Sequence, residues 1–96
     1  MKWQSIKPGS KVEIGNLKVK FPKDEFGAKI TGIWMPKLDW VPSVKNCIVK
    51  VQEQDCVRYV VYVIRNDKFK NYWFDFRLEF NKLDKAKKFL ELTIVG

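Results

Sequence analysis

Apolar and charged residues alternate in several stretches of this chain, and each alternation predicts a β-strand. Lys11-Val-Glu-Ile14 and Leu17-Lys-Val-Lys-Phe21 flank Gly15-Asn16. A two-residue loop containing glycine, set between alternating runs, is a strong hairpin signal. It pairs Ile14 with Leu17 and Val12 with Val19 on one face, and places Glu13 opposite Lys18 on the other. Ala28 to Met35 predicts a further strand, with Gly32 as a bulge or a point of close approach. Residues 36–42 are bounded by prolines and predict a loop carrying Leu38 and Trp40. Trp34 and Trp40 are expected to pack back over an open edge of the sheet.

The centre of the chain predicts three more strands: Lys45 to Gln52, Cys56 to Arg65 and Lys70 to Phe80. Setting Gln52 opposite Cys56 gathers Cys47, Val49, Val51, Val57, Tyr59, Val61 and Val63 on one apolar face. A slip of one residue would set Val51 against Arg58 and mix the faces, so the first register is preferred. In the last strand Tyr72, Phe74, Phe76, Leu78 and Phe80 share a face by period two. Each is worth roughly 1.5–3 kcal/mol when buried, which assigns all five to the core. The chain then turns helical from an Asn81 N-cap, with Leu83, Ala86 and Leu90 as the packing stripe. Residues 93–96 are expected to be a frayed end or a short strand.

Together these elements predict a mainly β (α+β) fold over residues 1–96, treated as one domain. Five to six antiparallel strands form a curled sheet or a small SH3-like or OB-like barrel, with one C-terminal helix. A strand-rich body followed by one helix resembles, in topology alone, certain single-strand-binding domains, and no residue role is carried across.

Charge adds a functional expectation. The chain of 96 residues holds 19 Lys and Arg against 11 acids, a net charge of +8, and such an excess attracts polyanions. Along the sequence the excess is evenly spread. No histidine is present, which removes the commonest general base and metal ligand. Two cysteines without histidine do not make a zinc site, and the scattered glycines match no phosphate-binding loop. No catalytic residue, cofactor or metal is therefore expected. The preferred register puts Cys47 and Cys56 on opposite faces, so they are expected to stay reduced. The N-terminal residues carry no apolar leader and the longest apolar run, Tyr59 to Ile64, is too short to span a bilayer. A cytoplasmic protein without a membrane partner is expected.

Extending the register through a turn at Asp67-Lys68 sets Tyr62 opposite Trp73 and Arg58 opposite Arg77. Lys50 lies on the far side of Arg58. The outer face would then show a cation row of Lys50, Arg58 and Arg77, and a second row with Asn46, Tyr62 and Trp73. Lys85 and Lys88 point outward from the helix. Exposed rings beside cations suit single-stranded DNA or RNA, since bases stack on rings while Lys and Arg track phosphates. Two alternatives stand beside this nucleic-acid interface. The face could be covered as a second core or a homodimer interface. Or the protein could be a protein–protein module, a small inhibitor or adaptor, anchored by its Trp and Tyr surface and the 36–42 loop.

Overall fold

The computed structural model describes residues 2–37 and 45–95, with side chains to residue 93. Trp40 and most of the expected 36–42 loop lie outside the described residues. The structure is mainly antiparallel β. In chain order the elements are β1 (Lys2–Ile6), β2 (Lys11–Ile14), β3 (Leu17–Lys20), β4 (Asp24–Glu25), β5 (Ala28–Lys37), β6 (Lys45–Gln52), β7 (Val57–Asn66), β8 (Tyr72–Phe80) and α1 (Leu83–Val95). Strands β1-β5-β6-β7-β8 form one sheet in that order, with β4 on β5, and β2-β3 form a separate two-stranded sheet. The main sheet does not close into a barrel.

Three layers result. The β2–β3 hairpin covers one face, where Leu17, Val19 and Phe21 pack with Ile33, Cys47, Val49, Val51, Val60 and Ile64. Helix α1 covers the other, where Ala86 and Leu90 meet Ile48 and Val61, flanked by Trp3, Trp34, Tyr59 and Phe80. The hairpin has the expected register, Ile14 to Leu17 and Val12 to Val19, and Gly15 sits at φ 66° in its turn. It is tied to the sheet edge by Lys20 N–H, which donates to Tyr72 Oη at 2.9 Å. Gly32 follows a break in the β5–β6 register. A Cβ there would lie 2.7 Å from the Trp34 ring, so Gly32 is the expected point of close approach, while the extra residue of the bulge is its neighbour Thr31.

The β6–β7 register departs from the expected one. Val51 pairs with Arg58, Val49 with Val60 and Cys47 with Tyr62, a slip of one residue. The slip was disfavoured because it spoils a single apolar face. With a hairpin on one side and a helix on the other, both faces need apolar residues, and this register supplies them: Val49 and Val60 face the hairpin while Ile48 and Val61 face the helix.

The β7–β8 connection also differs. It is a five-residue loop closed by Asp67, whose carboxylate accepts from the Phe69 and Asn71 amides at 2.9 and 3.0 Å. Asn66 pairs with Tyr72, Arg65 with Trp73 and Tyr62 with Phe76. Val61 then pairs with Leu78, so Arg77 is an extra residue bulged out of β8. A bulge flips the alternation beyond it. Tyr72 and Phe74 therefore join the hairpin-side core while Phe80 joins the helix side. Phe76 and Leu78, assigned above to the core, are exposed.

Helix α1 begins later and runs further than expected. Ala86 N–H bonds to the Lys82 carbonyl at 3.3 Å, which makes Lys82 rather than Asn81 the N-cap. The helix continues to Val95, so no strand or frayed end starts at Thr93. Among the described residues no helix is long and apolar enough to cross a membrane.

Candidate functional site

The expected row of cations and rings divides between the two faces of the sheet. Arg58 and Tyr62 lie on the hairpin side, Lys50, Trp73 and Arg77 on the helix side. Arg58 is not set against Arg77 or Lys50. Its guanidinium bonds to Glu53 at 2.7 Å and to Glu79 at 3.3 Å. Arg77 donates to Asn46 Oδ1 at 3.3 Å and lies 5.6 Å over the Phe89 ring. Lys50 is half-buried opposite Tyr59. Tyr62 is also half-buried, edge-on to Phe74 and Phe76 at centroid distances of 6.2 and 6.3 Å. Trp73 keeps 44% of its surface exposed. Lys85 and Lys88 are exposed on the outer side of α1.

The fold nevertheless concentrates two surfaces, one at each end of the main sheet. At the β7–β8 loop end the register brings Lys2 opposite Lys37, Lys45 opposite Ile64 and Arg65 opposite Trp73. Lys68 and Lys70 belong to the loop itself. Among the described residues these six cations share that end with two carboxylates, Asp67 and Asp75. Asp67 is committed to its turn, and its side-chain bond to Asn71 and its amide bonds hold it below the ordinary carboxylate range. Asp75 binds Arg65 at 2.5 Å. Two rings stand in the same region, Trp73 and the 73% exposed Phe69, whose ring takes Lys68 Nζ at 5.2 Å.

The opposite end collects five carboxylates, Asp24, Glu25, Glu53, Asp55 and Glu79, against Lys23, Lys29, Arg58 and Lys82. There, on the hairpin side, a cavity of about 630 Å³ opens between the β4–β5 turn and strands β7 and β8. Phe26, Tyr62, Phe74 and Phe76 supply rings to its walls; Asp24, Glu25 and Arg58 supply charge. A buried oxygen of Glu25 (Oε2) and the Nε of Arg58 have no hydrogen-bond partner. Burial, followed by the neighbouring Glu25 carboxylate, pushes the Tyr62 phenol up from its ordinary value.

This cavity was not foreseen. Its one local signal is the Phe26-Gly27 pair, which forms the two-residue turn between the paired Glu25 and Ala28. Both residues hold positive φ, 47° and 87°, as a hairpin turn of this kind requires. An aromatic residue at the first of these positions is unusual for the turn.

Cys47 is buried and Cys56 exposed, and both are free, as expected. Among the described residues no group of three or more potential metal ligands is found. The chain matches no family model, no curated protein and no solved structure among those compared.

Proposed function

We propose that the protein binds single-stranded nucleic acid, with the β7–β8 loop end of the sheet as its contact surface. The observation that carries this reading is the company Trp73 and Phe69 keep. Trp73 stands opposite Arg65 and beside the loop that carries Phe69, Lys68 and Lys70, with Lys2, Lys37 and Lys45 at the same end of the sheet on its hairpin face, while five carboxylates are gathered at the far end. Bases stack on such rings at about 1–3 kcal/mol each, and the lysines follow the phosphates. Of the residues first expected at the interface, Trp73 remains central to it. Lys85 and Lys88 add positive potential from the helix. Arg58, Tyr62 and Arg77 are engaged elsewhere, and Lys50 is half-buried opposite Tyr59.

Titration with a short single-stranded oligonucleotide, read by tryptophan fluorescence at several salt concentrations, tests this. Quenching is expected at low salt, with log K falling against log salt at a slope near −3 to −4 for about five phosphate contacts. Trp73→Ala should remove most of the quenching and weaken binding roughly 5- to 150-fold. No quenching at low salt, or unchanged binding by Trp73→Ala, refutes the reading.

A further inference from the structure

The cavity at the acidic end lies apart from the proposed nucleic-acid surface and has the opposite electrostatic character. We propose that it is a binding site for a small organic molecule bearing an alkylated ammonium group, held over the rings of Phe26, Tyr62 and Phe76 in the field of Glu25.

Three observations on the site converge on that ligand. The first is charge. Among the described residues the one cation on the cavity wall is Arg58, whose terminal nitrogens are matched by Glu53 and Glu79 at 2.7 and 3.3 Å while its Nε has no partner. Asp24 faces Lys29 across the β4–β5 pair, but Glu25 faces Ala28, and its Oε2 is buried without a partner. The Tyr62 phenol and Arg58 both interact with the Glu25 carboxylate, but an oxygen buried without a hydrogen bond beside a partly desolvated cavity is still costly, and a cation within a few ångströms relieves part of that cost.

The second observation concerns which cation. Glu25 Oε2 is withdrawn from the surface and Asp24, the other carboxylate of the wall, faces Lys29, so the site offers a primary ammonium poor replacement for the water its N–H groups would lose. An alkylated ammonium carries few or no such donors and is attracted to the negative faces of aromatic rings. Four rings line the cavity, with Ile30 and Val49 as apolar floor. The volume of about 630 Å³ exceeds what one amine head group fills and lies in the range of small-molecule sites. The ammonium is thus one end of a larger, mostly apolar molecule.

The third is backbone strain. Phe26 is fully exposed at 102%, contributes nothing to the core, and sits at φ 47° where asparagine or glycine is preferred. Strain held at the rim of a cavity by a residue with no packing role points to binding.

Choline is the minimal probe, and its neutral carbon isostere 3,3-dimethylbutan-1-ol and the primary amine ethanolamine are the controls. Amide chemical shifts of the ¹⁵N-labelled protein are followed during each titration. Choline is expected to shift Glu25, Phe26, Tyr62 and Phe76, and to bind about tenfold more tightly than either control. Glu25→Gln and Phe26→Leu should each weaken choline about three- to tenfold, while oligonucleotide binding is unchanged. Glu25 ends β4 and Phe26 opens the exposed turn after it, and a retained amide spectrum checks that the fold persists. Equal binding of the neutral alcohol would reduce the cavity to an apolar hollow. Tighter binding of ethanolamine would replace ring recognition with simple ion pairing. Shifts confined to other residues, or none by about 50 mM choline, would remove the site. Each of these results overturns the proposal.

Discussion

Phe26 shows how much one residue can reveal about a small fold. Its left-handed backbone costs of order 1 kcal/mol relative to asparagine or glycine, and its exposed ring returns nothing to the core. Phe26→Asn is therefore expected to raise stability by about 0.5–1 kcal/mol in urea unfolding while weakening choline binding. A loss of stability would mean that the ring packs in a way its exposure does not suggest. Cys47 gives a second test at this scale. Burial pushes its thiol up from 9.0 to about 12, so the folded chain retains a proton that the unfolded chain releases between those values. Stability is then fully present below pH 9 and falls as pH climbs towards about 12. The Tyr62 phenol, raised by burial and by Glu25, acts in the same direction at higher pH. Urea midpoints measured across the alkaline range should fall less steeply in Cys47→Ala, and Tyr62→Phe should remove part of the remaining slope. An unchanged slope in Cys47→Ala would place the thiol outside the titrating set.

At the scale of the element, what could be read from the chain was whatever local chemistry decides. The β2–β3 hairpin follows from Gly15-Asn16 and its flanking alternation, and its register was legible to the residue. The helix stripe of Leu83, Ala86 and Leu90 was legible for the same reason: it needs only the period. Registers between longer strands were not, because they depend on what covers the sheet. Val51 opposite Arg58 looks wrong for a one-sided sheet and is right for one sandwiched between a hairpin and a helix. The bulge at Arg77 has no signal within β8, and the expected cation row is divided between two faces by the one-residue slip of β7 on β6 and the longer β7–β8 loop. Strand β1 was missed altogether, since Lys2-Trp-Gln-Ser-Ile lacks the alternation of a half-buried strand. Gly32 marks the boundary between the two kinds of information. The residue announced a close approach, and the structure supplies the Trp34 ring that makes it, with Tyr59 stacked beside that ring at 6.2 Å. Gly32→Ala must displace a packed indole and is expected to cost about 1–3 kcal/mol, measured by thermal or urea unfolding. A neutral result would show that the Trp34 ring yields freely.

The whole molecule carries information that no segment of the sequence holds. Along the chain the positive excess is evenly spread, which weakened the case for a nucleic-acid partner. In space the antiparallel sheet sorts the charges, because the β4–β5 and β6–β7 turns and the end of β8 fall at one end, and the β7–β8 loop with the ends of β1, β5 and β6 at the other. The first group is rich in carboxylates; the second holds Lys2, Lys37, Lys45, Arg65, Lys68 and Lys70. A domain charged in this way should meet a polyanion end-on. That orientation can be measured, since each phosphate contact on a single strand contributes about −0.7 to the slope of log K against log salt. Neutralising the loop with Lys68→Gln and Lys70→Gln together should flatten the slope by about 1.4. Neutralising the helix with Lys85→Gln and Lys88→Gln removes the same formal charge, yet it should change the slope much less, because those side chains act at longer range and are screened as salt rises. The comparison holds net charge fixed between the two variants, so only position differs. A greater flattening from the helix pair would place the nucleic acid along α1 and overturn the end-on arrangement.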